Sequence, residues 1–224
     1  MKNNYSFRHL MTFLGFFYCF TLSAQTMPAA QTLPVEQNFE SWLAADAQFP
    51  AGFQGWTLGG NDSGVTQYLT SPTFTDYNTI LTGKGANTNS GGFYNYVGKL
   101  GFLNTGSVNL NIGFAFSSVG TTNVQVQYDV MTIRNPSDAS NTRVNEVILQ
   151  YRVGTTGDFI SLLGTAYRNN STTQTGTNVY LPQNSQLRKI TLPAECDNQP
   201  VVQIRWASRQ VSGVEDVHLL QLII

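Results

Sequence analysis

Val124-Gln125-Val126-Gln127-Tyr128-Asp129-Val130 decides the fold class, because every second residue in it is apolar. A period of two belongs to a strand, whose side chains point alternately to opposite faces, and it predicts one face on a core and one in water. The same reading extends outward. Upstream, Leu110, Ile112, Phe114 and Phe116 alternate with Asn109, Asn111, Gly113 and Ala115. Downstream, Val147, Leu149 and Tyr151 alternate with Ile148, Gln150 and Arg152, and Val202, Ile204 and Trp206 alternate with Gln203 and Arg205. Turn-forming clusters of Gly, Asn and Ser separate these runs: Gly59 to Gly64, Gly83 to Gly92, Asn135 to Asn141, Gly154 to Gly157 and Asn169 to Asn178. Strands at this spacing predict an all-β fold, a two-sheet antiparallel sandwich rather than a βαβ fold. Arg168 to Asn178 reads as a surface loop or a wide hairpin.

The chain opens like an export signal. Lys2 and Arg8 make a short basic start, Met11 to Leu22 is an apolar run rich in Phe and Leu, and Ser23-Ala24-Gln25 supplies a small-residue exit. Such a run is too short to span a bilayer and suits signal peptidase. Residues 1–24 are therefore read as an N-terminal signal peptide, 25–32 as a short flexible leader, and 33–224 as one β-sandwich domain, secreted or at the cell surface. Cys19 does not suggest a lipid anchor, since bulky Tyr18 precedes it. No other segment reads as a membrane span.

Cleavage after Ala24 leaves 200 of the 224 residues, enough to bury a real core. It removes Lys2 and Arg8 from twelve basic side chains, leaving ten against thirteen acidic ones and a net charge near −3. That balance provides no basic footprint for nucleic acid. Cys196 is then the only cysteine, so it reads as a lone buried thiol.

Catalytic patterns are sparse. Once His9 leaves with the signal, His218 alone remains, three residues into an apolar tail, which makes Ser-His-Asp, Cys-His and clustered zinc sites poor readings. The thirteen acids are scattered, with none at i and i+2 or i+4 along a strand, whereas a sandwich glycosidase needs two carboxylates on one face. Glu146, beside Arg143 on an expected strand, suggests a cross-strand ion pair with Arg134 or Arg152. Arg205 and Arg209 flank Trp206 and could suggest anion or sugar contact, yet alternation turns Trp206 to the core. Tyr68, Phe93, Tyr94, Tyr96 and Tyr167 would form a sugar-stacking platform if exposed and would fill the core if buried.

Several motifs together are similar to a known group. Leu33-Pro34-Val35-Glu36-Gln37-Asn38-Phe39-Glu40-Ser41-Trp42 is followed by Phe49-Pro50-Ala51-Gly52-Phe53-Gln54-Gly55-Trp56, with its "P-x-G-W" turn. Then come Gly91-Gly92-Phe93-Tyr94-Asn95-Tyr96, Gly101-Phe102-Leu103, and Val201 to Gly213 containing Ile204-Arg205-Trp206 and Ser212-Gly213. Over residues 33–213 this order resembles the MAM-like, cleaved-adhesin or "choice-of-anchor" jelly-roll modules of exported Bacteroidetes proteins. The resemblance implies a lectin-like jelly roll, usually non-catalytic, near the N-terminus of a larger surface or secreted protein. It also implies a structural Ca²⁺ held by Glu40 together with a terminal acidic pair, for which Asp216 is the only substitute here.

The end of the chain departs from that pattern. Ser212-Gly213 leads into Val214 to Ile224 with no "I-D-D-I" strand, which suggests a frameshift or a truncated end after Gly213. Val217 to Ile224, interrupted only by Gln221 after His218, does not alternate and is expected to dock imperfectly, leaving an adhesive apolar patch. The functional expectation is a secreted non-catalytic interaction module, adhesin-like or ancillary to a larger exported protein, whose partner is a glycan or a protein surface. The alternatives are a carbohydrate-binding module, which needs exposed aromatics, and a small secreted glycoside hydrolase, which needs two convergent acids in a cleft.

Overall fold

Each alternating run becomes a strand, and the strands sort into two sheets according to which apolar face they must cover. The computed structural model describes residues 26–43, 45–58, 75–81, 91–96, 98–104, 109–134, 144–169, 183–212 and 218–223. The expected signal segment lies outside them. In chain order the strands are β1 (Gln31–Thr32), β2 (Phe53–Leu58), β3 (Thr75–Asp76), β4 (Ile80–Leu81), β5 (Gly92–Asn95), β6 (Leu100–Asn104) and β7 (Asn109–Ser117). They continue as β8 (Gln125–Arg134), β9 (Val144–Val153), β10 (Ile160–Ser161), β11 (Tyr167–Arg168), β12 (Gln183–Thr191), β13 (Val202–Ser212) and β14 (His218–Ile223).

The first sheet runs β10-β9-β13-β7-β2-β3, with β1 beside β7 and β11 beside β9. The second runs β12-β8-β14-β6-β5-β4. Pairing is antiparallel except where the short β1 and β4 lie parallel to β7 and β5. Successive long strands cross from sheet to sheet, and the late strands β13 and β14 insert between earlier ones. One sheet therefore contains β6-β14-β8-β12 and the other β7-β13-β9-β10, the interleaved order of a jelly roll.

Between the sheets lies the core expected from the alternation. Phe53, Ile112, Phe114, Phe116, Leu149, Ile204 and Trp206 come from one sheet, and Phe93, Val126, Tyr128 and Val130 from the other. Trp206 is fully buried, edge-on to Tyr128 with ring centroids 5.6 Å apart. Burying a large apolar side chain in this way stabilises by about 1.5–3 kcal/mol. Phe39 joins the core from the crossing segment, edge-on to Trp42 at 4.8 Å. Its φ of 56° is a left-handed conformation that a bulky residue adopts only when packing compels it.

One expectation about the ends of the domain is corrected. Residues 26–32 are no loose leader. Gln31 and Thr32 pair with Phe116 and Ser117, the Thr26 N–H donates to Asp76 Oδ1 at 3.0 Å, and Trp56 Nε1 donates to the Thr26 carbonyl at 3.3 Å. At the other end, the strand that the tail forms is an interior one. His218–Ile223 sits inside the second sheet, paired with Leu100–Asn104 on one side and Asp129–Arg134 on the other, with a single register shift between Leu219 and Leu220. An interior strand satisfies both backbone edges and can be apolar on both faces, so a run interrupted by one Gln suits it. Of the expected turns, Gly154 to Gly157 bends the chain between β9 and β10, with φ values of +79° and +84° that glycine adopts without a Cβ clash. Those at 59–64, 83–90, 135–141 and 170–178 lie outside the described residues.

Candidate functional site

The residues singled out from the sequence do not converge. Glu40 is exposed in a turn, its backbone N–H bonded to Asn38 Oδ1 at 3.0 Å, and Asp216 lies outside the described residues. Among the described residues no three His, Cys, Asp or Glu side chains gather to hold a metal ion. Calcium takes six to eight oxygens, backbone carbonyls and waters among them. The backbone of His218 is in β14. Cys196 is buried, and its thiol is pushed up to about 12 by burial and by the charges of Glu195 and Asp197.

Glu146 is ion-paired as expected, but with different partners. Alternation puts Glu146 on the outer face of the first sheet, and register places Arg209 of β13 on one side of it and Arg168 of β11 on the other. Arg209 Nη2 lies 2.6 Å from Oε1, and Arg168 Nε bonds Oε2. Arg152 is three rows away along β9 and cannot reach. The aromatics divide toward the interior. Phe93 and Tyr94 are fully buried, Tyr167 is buried with its hydroxyl bonded to Thr132 and Asn184, and Tyr96 is half-buried. Tyr68 lies outside the described residues.

The outer face of the first sheet holds a feature that alternation alone did not show. Gln150, Arg152, Gln203 and Arg205 were expected in water, yet none is more than 3 % exposed. Phe159 is inserted between the two arginines, with guanidinium carbons 4.3 Å (Arg152) and 4.0 Å (Arg205) from its ring centre. Arg205 Nε donates to Gln150 Oε1 at 2.6 Å, Gln150 Nε2 donates to Ser161 Oγ at 2.8 Å, and Arg152 Nε donates to Gln203 Oε1 at 2.8 Å. From the other side Met27 Sδ accepts from Arg152 Nη2 and Gln203 Nε2. The Trp56 indole lies flat over Gly113, where a Cβ would come within 2.0 Å of the ring. Burial first, and then the like charge of Arg152, weaken the hold of Arg205 on its proton, with Asp158 opposing. This layer is a second, buried core on the outer face of the sheet.

An open groove lies on the opposite side of the molecule. Pro34 to Asn38 form one wall, while Gln125, Gln127, Tyr128 and Asp129 of β8 with Leu187 of β12 form the other, around about 700 Å³. Outward Gln125, Gln127 and Asp129 are paired across the strands with Thr191, Lys189 and Leu187. Leu187 is 60 % exposed and Val35 40 %. Beneath the groove a smaller cavity of about 80 Å³ shares Val35, Gln37, Gln125 and Gln127 with it, and reaches down to Leu33, Phe53, Phe114, Phe116, Val124, Val126 and Ile204. On the side of β8 away from β12, the register with β14 begins only at Asp129. Among the described residues no strand pairs with Gln125–Tyr128 there.

The groove combines fixed strand backbone, four side-chain amides, two carboxylates (Glu36 and Asp129) and an apolar floor. Sequence reading marked Gln125, Gln127 and Asp129 as the wet face of their strand. It did not mark Val35 or Leu187, whose exposure depends on how the 34–38 segment crosses the end of the sandwich. Among the described residues, no helix is long and apolar enough to cross a membrane. No family model, curated protein or solved structure matches the chain.

Proposed function

We propose that the chain is a secreted or cell-surface, non-catalytic interaction module, adhesin-like or ancillary to a larger exported protein, and that the groove between Pro34–Asn38 and β8 is where it engages its partner. The groove carries the proposal: an open polar cleft of about 700 Å³ with an apolar floor, one wall of it built on β8 and β12. Further support comes from the export-like N-terminus and from the motif order shared with exported jelly-roll modules. The partner is a glycan or a protein surface. A protein is favoured, because Phe93, Tyr94 and Tyr167, three of the five aromatics a sugar platform would use, are packed inside.

Carbohydrate binding is the second reading, and it rests on the amides of Gln37, Asn38, Gln125 and Gln127, which could bond sugar hydroxyls. A glycan array probed with the exported protein and with its Val35→Lys variant separates the two. A glycan bound by the parent and lost in the variant would replace a protein partner with a sugar one. Hydrolysis draws its support from Glu36 and Asp129 sharing the groove. No turnover of aryl glycosides is expected, and turnover abolished by Asp129→Asn would overturn the non-catalytic reading. The calcium reading rests on the resemblance alone. If it holds, chelator lowers the melting temperature of the parent and leaves that of Glu40→Gln unmoved.

A further inference from the structure

A second opening lies where the chain leaves the first sheet for the second. Tyr77 N–H bonds the Gly55 carbonyl at 2.9 Å, and from there Asn78 and Thr79 cross to β4 in the other sheet. With Ala47 to Phe49, Phe53, Gln54 and Ile80 they line a cleft of about 510 Å³, which shares no lining residue with the groove. None of its lining side chains is charged. Its polar groups are the amides of Gln48, Gln54 and Asn78 and the hydroxyl of Thr79.

Two of those amides are held in fixed orientation. Gln54 is only 6 % exposed, and its Nε2 donates to the Gly55 carbonyl at 3.0 Å and to Asn78 Oδ1 at 2.7 Å. A carbonyl can only accept, so the end of Gln54 that faces Gly55 must be its NH₂, and the atom of Asn78 facing that NH₂ must be oxygen. This leaves Gln54 Oε1 as an acceptor and Asn78 Nδ2 as a donor, neither with a partner among the described residues. Phe49 beside them is half-buried, its ring edge-on to Phe93 with centroids 5.1 Å apart. Glycine at 55 makes room for that ring, since a Cβ there would come within 2.8 Å of it.

We propose that this cleft is a second binding site and takes a neutral sugar unit of a glycan, whose adjacent hydroxyls bond Gln54 Oε1 and Asn78 Nδ2 while its C–H face packs on Phe49. A hydroxyl both donates and accepts, so neighbouring hydroxyls match an acceptor beside a donor. The amides are already oriented by their bonds to each other and to Gly55, so little side-chain freedom is lost on binding. A charged ligand would leave water without a counter-charge in the lining, which selects an uncharged one. The inference is independent of the groove, which has other residues and a protein as its favoured partner.

The test uses the full chain, exported and purified, with neutral tetrasaccharides of glucose, galactose, mannose or N-acetylglucosamine in titration calorimetry. At least one is expected to bind saturably below about 1 mM, with an affinity that salt does not move. Asn78→Ala, at an exposed position, removes the donor and unfastens Gln54, and should weaken that sugar about tenfold without shifting the melting temperature. In isotope-labelled protein the sugar should shift the side-chain amide NMR signals of Gln54 and Asn78 and leave those of Gln125 and Gln127 in place. No saturable binding by any of these sugars up to about 10 mM would overturn the proposal. So would binding that strengthens as salt falls, or binding that Asn78→Ala leaves unchanged. A sugar lost in Val35→Lys and kept in Asn78→Ala would sit in the groove, sinking this site while supporting the carbohydrate reading of the groove. Absence of any sugar binding would sink this site and leave a protein partner in the groove standing.

Discussion

On β9 and β13, the outward residues Gln150, Arg152, Gln203 and Arg205 are shut away beneath Met27 and Phe159, whereas on β8 and β12 the outward Gln125, Gln127, Leu187 and Lys189 stand at the surface. β8, β9 and β13 share one pattern, apolar at every second position, which β12 lacks. The difference lies in what crosses over them. The first sheet is covered by the chain entering at residue 26 and by the segment that folds back after Gly157, and the amides and guanidiniums trapped below must then bond to one another. The second sheet has no such cover along the described part of β8, and its polar side chains keep their water. A period of two thus identifies the two faces of a strand without saying that either is wet.

Substitutions on the two faces can break or sharpen this contrast. Phe159→Ala should cost most, about 3–5 kcal/mol of unfolding free energy, because it empties a buried ring site and strips two guanidiniums of their stacking partner. Chemical denaturation reads this, and a loss below about 0.5 kcal/mol would mean that the face is solvated after all. Gln150→Leu removes the acceptor of Arg205 Nε and should cost about 1.5–3 kcal/mol. Adding Arg205→Met to it should recover much of that loss, since a buried charge and its unmet donors disappear together. If the double variant is no better than the single one, the guanidinium is held chiefly by its other contacts.

Smaller effects follow from the strap and from the open face. Met27→Ala takes away an acceptor shared by Arg152 and Gln203 and should cost about 1 kcal/mol. Hydrogen exchange should then quicken in β9 and β13 ahead of β8 and β12. Protection unchanged in β9 and β13 would show that residues 26–30 do not seal the face. Leu187→Ala is the counterpart of Phe159→Ala on the wet side and should stay within about 0.5 kcal/mol. A drop beyond about 1 kcal/mol would mean that Leu187 packs against something in solution and that the two faces are more alike than they look.

Much of the architecture was legible for a plain reason: strand periodicity is local. Ile112, Phe114, Tyr128, Leu149, Ile204 and Trp206 were assigned to the core by alternation, and they are there. Trp206 turned away from ligand contact for the same reason. Glu146, beside Arg143 on an expected strand, was read as part of a cross-strand ion pair, but register between strands distant in the chain brings Arg168 and Arg209 to it.

The sequence by itself determined the fold class, the facing of β7, β8, β9 and β13, and the burial of Cys196. Each of these follows from side-chain chemistry within a few residues. Tertiary structure alone decided that β14 lies between β6 and β8, that Arg152 and Arg205 are sealed around Phe159, and that Pro34–Asn38 stands off β8 to leave a groove. All three are settled by separate segments of the chain meeting in space, where hydrogen-bond satisfaction and the exclusion of water are decided jointly. No local pattern encodes that meeting.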